Sequence, residues 1–127
     1  MKEKCCGCII IDNNKVLLVQ QNQEFWGFPK GHVEGDETEE ETALREVKEE
    51  TNLDVKILGN KKYKIEYVTD KGNPKEVIFF LASPLNKDIK KQDAEIKNIK
   101  WLRFEDALKT ITYDNTRELF REVLKEL

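Results

Sequence analysis

The sequence has no long apolar run and few cysteines, and each shortage excludes a class of protein. No apolar segment approaches the roughly 18 residues needed to cross a bilayer, and the first residues, MKEKCCG, lack an apolar signal region. We therefore expect a cytoplasmic protein with no membrane partner. Cys5, Cys6 and Cys8 lie in one predicted strand, where they cannot close a structural zinc site, and their odd number argues against a disulfide framework. We expect them to be ordinary buried strand residues.

Internal repeats, low-complexity tracts and interdomain linkers are also absent, so the 127 residues predict one domain, 1–127. The formal net charge of −3 hides an asymmetry, because nine acids and two bases lie between Glu34 and Glu50. Lysines dominate the charged positions from Lys56 to Arg103. An acidic pocket facing a lysine-bearing sheet suits a metal-bound polyphosphate better than a nucleic-acid groove. No stable nucleic-acid partner is expected, and the oligomeric state stays open.

Hydrophobic periodicity predicts an α/β (α+β) sandwich with a mixed sheet, because strands are interrupted by one central helix and closed by a terminal one. The predicted strands are Cys5–Asp12, Lys15–Gln20, Asp54–Leu58, Lys61–Thr69, Lys75–Ala82 and Ile96–Arg103. Trp26–Pro29 is predicted to be a short extended piece. The predicted helices run from the capping residue Thr38 to about Thr51, over Phe104–Ile111, and over Asn115–Leu127.

Three carboxylates share one face of the central helix. Glu46, Glu49 and Glu50 stand at positions i, i+3 and i+4, where helix side chains become neighbours. Like charges at that spacing destabilise a bare helix, whereas a hard cation among the oxygens reverses the sign of the interaction. Carboxylates are ligands of Mg²⁺, which proteins often share with substrate phosphates. The cluster predicts metal-assisted phosphate chemistry with Mg²⁺, or Mn²⁺ in its place.

The stretch GHVEGDETEEETALREVKEETNL also resembles the signature of the Nudix hydrolases, Gx5Ex7REUxEExGU, where U is a bulky aliphatic residue. The matched positions are Gly31, Glu37, Arg45, Glu46, Val47, Glu49, Glu50 and Leu53. The one departure is Asn52, where the pattern has glycine. That position follows the helix and calls for a left-handed backbone, which asparagine tolerates better than other non-glycine residues.

The resemblance implies a Nudix-type α/β/α sandwich and a hydrolase of pyrophosphate bonds. It makes Glu46, Glu49 and Glu50 metal ligands, with Glu46 and Glu49 also catalytic. Arg45 is expected to pair with Glu37 or Glu49 and so orient a carboxylate. Such a reaction needs positioning and charge neutralisation more than covalent chemistry by the protein.

The segment WGFPKGHVEGDE is similar to that of the asymmetrical diadenosine tetraphosphate hydrolases, which carry W-x-x-P-K-G-H-V-E at this place. KEVIFFLA and AEIKNIKWL resemble the same subfamily, so the similarity covers most of the chain. The subfamily places a glutamate six residues before the tryptophan of the last strand, here Glu95. By resemblance Glu95 is an additional metal ligand or the general base, and its alternative is an ordinary loop acid. The implied reaction splits diadenosine tetraphosphate into ATP and AMP.

Six residues are candidates for contact with a nucleoside polyphosphate substrate: Lys30, Gly31, His32, Tyr67, Lys75 and Phe79. Lys30 and His32 flank the glycine turn before the acidic helix and are predicted to contact phosphates. Phe79 occupies a position where the subfamily has a tyrosine near the base, and it is either a stacking residue or a core residue of its strand. Tyr67 and Lys75 are weaker candidates for base stacking and phosphate contact.

Two alternatives to the diadenosine tetraphosphate reaction stay open from the sequence. The first keeps the chemistry and changes the substrate to RNA 5′ ends, an oxidised nucleotide or a diphosphoinositol polyphosphate. The second is a non-catalytic module that senses nucleotides. The complete set Glu46, Glu49 and Glu50 argues against a sensor, which has no need of all three.

Overall fold

The computed structural model describes residues 2–92 and 94–127, which form one mixed sheet flanked by helices. The strands are β1 (Glu3–Asp12), β2 (Lys15–Gln21), β3 (Trp26–Gly27), β4 (Lys30–His32), β5 (Val55–Val68), β6 (Pro74–Pro84) and β7 (Ile96–Arg103). The helices are α1 (Glu39–Thr51), α2 (Phe104–Thr110) and α3 (Asp114–Lys125). No helix among the described residues combines the length and apolar composition needed to span a membrane.

Strand β1 is the centre of the sheet. It pairs in parallel with β6 along Glu3–Ile10 and antiparallel with β2 at its far end, in the path β3-β2-β1-β6-β5. Strand β4 joins the first half of β1, and β7 joins β2. A parallel pair requires a long crossover, and here α1 lies within the chain that connects β1 to β6. The near-continuous apolar run of β1 follows from burial on both faces.

Side chains alternate along β1 between two apolar layers. Cys6, Cys8 and Ile10 pack on one face, where Ala43 and Val47 of α1 cover them. Cys5 and Ile9 lie on the other face, which is covered by a cluster that includes Phe120 of α3. The predicted sandwich with a mixed sheet is therefore confirmed.

The prediction that the cysteines are buried strand residues is confirmed as well. Cys5, Cys6 and Cys8 are free thiols with almost no exposed surface. Burial raises the pKa of Cys8 to about 12 and that of Cys6 to about 11, so neither forms the reactive thiolate readily near neutral pH.

Both ends of α1 are formed by the residues that the sequence indicated. The Thr38 side chain accepts from the Glu41 N–H while the Glu41 side chain accepts from the Thr38 N–H, which is a capping box. At the other end Asn52 has a φ of 66°, and its N–H donates to the Lys48 carbonyl. The two caps therefore determine where α1 begins and ends.

Two strand predictions were wrong. Asp54–Leu58 and Lys61–Thr69 are one strand, β5, whose pairing with β6 shifts register between Ile57 and Lys62. Gly59 lies in this irregular stretch with a positive φ, which allows a bulge within one continuous strand. Strand β4 was not predicted, because three residues carry no readable alternation.

Strand β4 can pair with β1 only because Gly7 has no side chain. A Cβ atom at Gly7 would lie 2.0 Å from the Pro29 carbonyl oxygen and 2.7 Å from the Lys30 Cβ. The nearest obstacle is backbone, which cannot rotate away. Gly7 therefore determines how closely the segment before α1 approaches the centre of the sheet.

Replacing Gly7 by alanine should lower the free energy of unfolding by about 2 kcal/mol or more, the usual range for overpacking a tight site. Gly27→Ala is the matched control, because a Cβ at Gly27 meets no atom within 4 Å. Urea denaturation of both variants checks this expectation. Equal stabilities of the two variants would contradict the close approach of β4 to β1.

Candidate active site

The acidic face of α1 contains three glutamates in different environments. Glu50 is buried, with 3% of its surface exposed, and its Oε1 atom has no hydrogen-bond partner. Burial first, then the charge of Glu46, raises the pKa of Glu50 to about 8. Burial likewise raises the pKa of Glu46, whose side chain is 12% exposed. Glu49 is half exposed. A buried carboxylate with a free oxygen indicates that a cation or donor belongs beside it.

Arg45 connects this face to the loop before the helix. Its Nε and Nη2 atoms donate to the two oxygens of Glu37 at 2.6 and 2.9 Å. Its Nη1 atom donates to Glu46 at 2.8 Å and to both oxygens of Glu49 at 3.2 Å. Nη2 also donates to the His32 carbonyl at 2.9 Å. One guanidinium therefore orients two glutamates of the helix and fixes the end of β4.

Glu37 is the fixed counterion of Arg45. Besides the two bonds from Arg45, it accepts hydrogen bonds from the Glu34 N–H at 3.0 Å and the Thr42 hydroxyl at 2.9 Å. The Arg45 hydrogen bond, followed by the one from the Glu34 backbone, lowers the pKa of Glu37 to about 2. Glu37 therefore stays ionised at any working pH and holds the guanidinium in place.

Gly31 allows the Glu46 carboxylate to lie against β4. A Cβ atom at Gly31 would lie 2.0 Å from the Glu46 Cδ and 2.2 Å from its Oε1. This contact differs from the one at Gly7, because the obstacle is the end of a flexible side chain. The first glycine of the signature thus has a defined role, which is to seat one carboxylate against the loop.

An acidic cavity of about 550 Å³ lies in front of these glutamates. Its lining includes Glu46, Glu49, Glu50 and Glu95, together with Lys30, Gly31, His32, Lys75, Gln21 and Asn22. The structure thus brings the acidic residues that were predicted as catalytic or metal ligands into one cavity. His32 is at its rim, where its Nε2 lies 3.1 Å from Glu3 Oε1. Lys30 is desolvated there, and that burial, with Lys75 nearby, lowers its pKa.

A second cavity, of about 440 Å³, adjoins the first and is aromatic. Its lining includes Phe25, Trp26, Phe28, Tyr67, Phe79 and Tyr113. Phe25 and Tyr113 are partly exposed, with their ring centroids 5.2 Å apart. Gln21, Lys30 and Lys75 line both cavities, so the two cavities are adjacent.

Phe79 is a correction to the sequence analysis, because its ring is not available for stacking. It is 1% exposed and packs edge-on against Phe28, with ring centroids 5.4 Å apart. Strand β6 directs it into the core below the aromatic cavity. Tyr67 remains at the surface, with Lys75 Nζ 5.9 Å from its ring centroid. The surfaces on which a base can stack are therefore the exposed rings.

Sequence reasoning missed Phe25 and Tyr113 as cavity residues. Two hydrogen bonds bring their segments together, since the Trp26 N–H donates to the Thr112 hydroxyl at 2.9 Å and the Thr112 N–H donates to the Trp26 carbonyl at 3.1 Å. The contact joins positions 86 residues apart. No local pattern reports such a pairing. The only signal was an exposed aromatic residue at the start of the last helix.

The acidic face fits a hard divalent cation. All its donors are oxygens, and Glu50 has a buried oxygen without a partner. Within residues 2–92 and 94–127, no three histidine, cysteine or acidic side chains converge as a metal-binding group in the present arrangement. Glu46 and Glu49 instead face Arg45, which neutralises them here.

Known proteins resemble this chain along its length. It matches the NUDIX domain over residues 1–123. It is 36% identical over 110 residues to the asymmetrical bis(5′-nucleosyl)-tetraphosphatase of Caenorhabditis elegans, covering 84% of this chain and 80% of that protein. The rat protein of the same name is 30% identical over 138 residues, covering 96% of this chain and 93% of that one.

The fold agrees with these sequence relationships. A crystal structure of a C. elegans Ap4A hydrolase binary complex superposes with a TM-score of 0.87 at 31% identity, covering 98% of this chain and 96% of that one. The chain belongs to the Nudix family and is a Nudix hydrolase, an enzyme of phosphoric anhydride bonds. Enzymes of this family generally use divalent metal ions.

Gly31→Ala should separate activity from stability. The new methyl group displaces the Glu46 carboxylate, and a displacement of about 1 Å can cost roughly 100-fold in rate. The thermal midpoint should change by no more than about 4 °C, because the displaced group is a mobile side-chain end. Steady-state kinetics and thermal denaturation on the same preparation test both parts. An active Gly31→Ala variant would show that the position of Glu46 is unimportant.

Proposed function

We propose that this chain is a metal-dependent hydrolase of dinucleoside polyphosphates that splits diadenosine tetraphosphate asymmetrically into ATP and AMP. The observation that carries the proposal is that the aromatic cavity and the acidic cavity adjoin, with Lys30 and Lys75 in the lining of both. Lys30 and Lys75 stand where the two cavities meet. A base among the aromatic rings would therefore place its phosphates past two lysines and against the glutamates.

The names of the relatives support the same substrate. The C. elegans and rat proteins are named asymmetrical bis(5′-nucleosyl)-tetraphosphatases, and nearly the whole of this chain aligns with the rat protein. The exposed rings of the aromatic cavity suit a nucleoside better than a bare phosphate, because a base stacks on a π face.

Glu46, Glu49 and Glu50 would hold the divalent metal, with Mg²⁺ preferred and Mn²⁺ accepted. When bound, such an ion neutralises phosphate charge and lowers the pKa of a water molecule. Arg45 and Glu37 keep the carboxylates aimed, in the manner of outer residues that orient metal ligands. Since Arg45 already bonds Glu46 and Glu49, loading the site requires the glutamates to exchange part of this bonding.

Glu95 supplies a carboxylate opposite the helix face in the acidic cavity. There it can accept a proton from the attacking water or add a metal ligand. Lys30 and Lys75 donate to phosphate oxygens, and His32 at the rim contacts the phosphates farther out. Tyr67, with Phe25 and Tyr113, holds one base and so fixes which phosphorus faces the water.

The first prediction from this proposal concerns the products. With diadenosine tetraphosphate in ¹⁸O-labelled water, the main products should be ATP and AMP, because a base held at one end fixes the cleavage position along the chain. Chromatography with mass spectrometry reports both the cleavage position and the labelled product. Two ADP molecules would refute the asymmetric position. Brisk removal of pyrophosphate from RNA 5′ ends, without dinucleotide turnover, would replace the proposed substrate.

The second prediction concerns the metal. In chelator at pH 9, where Glu50 with its pKa of about 8 is mostly ionised, Glu50→Gln should melt at or above the wild-type temperature, because it removes a buried charge and its repulsion from Glu46. Adding MgCl₂ should raise the wild-type thermal midpoint more than that of the variant, since a ligand stabilises only the fold that binds it. The variant should also lose most of its kcat.

Glu40→Gln is the control for Glu50→Gln, because Glu40 is an exposed acid on the same helix outside the acidic cavity. It should keep the full Mg²⁺-dependent shift. An undiminished shift in Glu50→Gln would remove Glu50 from the metal site.

A further inference from the structure

The loop between β2 and β3 holds the segment that carries Glu95. The Asn22 N–H donates to the Glu95 carbonyl at 3.0 Å, and the Asn22 Nδ2 donates to the Ala94 carbonyl at 2.6 Å. These bonds span 72 residues of sequence. The loop is itself a tight turn, because the Gln21 N–H donates to the Phe25 carbonyl at 2.9 Å. The position of Asn22 is therefore fixed by its own loop, independently of its contact with Ala94 and Glu95.

Glu95 is held from its other side by the start of β7. The next residue, Ile96, is buried and pairs with Gln21 where the β2–β7 register shifts. The N–H groups of Glu95 and Ile96 donate to the Gln92 carbonyl at 3.2 and 2.8 Å. The backbone at Glu95 therefore lies between a core anchor and the two bonds from Asn22.

These bonds leave the Glu95 side chain free. Both bonds from Asn22 go to carbonyl groups, and the Glu95 carboxylate accepts no hydrogen bond from the part of the chain that the structure describes. It faces the same cavity as Glu46 and Glu50, two further carboxylates. An exposed acid beside like charges is repelled toward solvent. Hydrogen bonds to the backbone can keep the Glu95 side chain pointing toward the cavity while both carboxylate oxygens stay available.

We propose that Asn22 is a positioning residue that holds Glu95 against the acidic face of α1. The inference rests on the proposed function, because it requires Glu95 to act on substrate, water or metal. Asn22 itself need not touch any of them. Its role is to keep the carbonyl groups of Ala94 and Glu95 in place, so that the Glu95 carboxylate reaches the cavity.

A double-mutant cycle with Asn22→Ala and Glu95→Gln tests this role. Asn22→Ala removes the side-chain hydrogen bond to the Ala94 carbonyl and keeps the backbone hydrogen bond to the Glu95 carbonyl. We expect kcat to fall roughly ten-fold, less than the roughly hundred-fold cost of a full 1 Å displacement. KM should stay within about two-fold, because the lysines and aromatic rings that hold the substrate are unchanged. In the Glu95→Gln background, Asn22→Ala should have little further effect on kcat.

Asn98→Ala is the matched control. The Asn98 Nδ2 donates to the Gln20 Oε1 at 2.8 Å between β7 and β2, and forms no hydrogen bond to Ala94 or Glu95. Its removal costs a similar exposed hydrogen bond, so it should leave kcat unchanged in both backgrounds. Thermal denaturation of every variant verifies that the fold is retained.

Three outcomes would overturn the proposal. The first is wild-type kcat in Asn22→Ala, and the second is wild-type kcat in Glu95→Gln. The third is that Asn22→Ala lowers kcat by the same factor in the wild type and in Glu95→Gln. The cycle is measured on whichever nucleoside polyphosphate the wild-type enzyme turns over fastest in a substrate panel. Failure of diadenosine tetraphosphate as substrate would therefore count against the proposed function and still leave the role of Asn22 to be decided by the cycle.

Discussion

The site depends on one close approach, the passage of residues 29–31 between the central strand and the acidic helix. On the side of β1, the Pro29 carbonyl lies where the Cβ atom of any other residue at position 7 would be. On the other side Gly31 leaves the same space for the Glu46 carboxylate. The short strand β4 therefore touches both β1 and α1, and it presents Lys30 and His32 to the cavities. A methyl group at Gly7 would collide with the Pro29 carbonyl, and one at Gly31 would collide with the Glu46 carboxylate, so the two glycines allow β4 to lie this close to both β1 and α1.

The second constraint is electrostatic and opposes the first. Close packing buries Glu50 and Glu46, and burial of like charges raises the pKa of both and disfavours ionisation. Arg45 offsets part of this cost by bonding Glu46 and Glu49, while Glu37 holds Arg45 in position. Glu50 receives no such bond at its Oε1. The arrangement keeps like charges close together at a cost in stability, which is a common conflict at functional sites.

The features that the sequence predicted depend on residues close together in the chain, whereas the features it missed depend on contacts between distant segments. The acidic face, the capping box at Thr38 and the left-handed Asn52 are local, because each depends on residues within one or two helical turns. The mixed sheet also followed from strand and helix order. Strand β4, the burial of Phe79 and the cavity residues Phe25 and Tyr113 depend on pairings between distant segments. Periodicity carries no information about such pairings, and in one strand it cannot tell a core ring from an exposed one.

The same difference between local and distant contacts separates the acidic cavity from the aromatic cavity. Glu46, Glu49 and Glu50 of the acidic cavity lie on one helix, and Lys30 and His32 lie in the three-residue strand β4. Both elements are fixed by packing against β1. The exposed aromatic rings come from three other places: Phe25 from the β2–β3 loop, Tyr67 from the end of β5 and Tyr113 from the α2–α3 connection. Trp26 and Thr112 join two of these through a pair of hydrogen bonds. Loops tolerate substitution and insertion better than a packed helix does. The aromatic cavity can therefore vary while the signature of the helix stays the same, and under the proposed function such variation would change the substrate rather than the reaction.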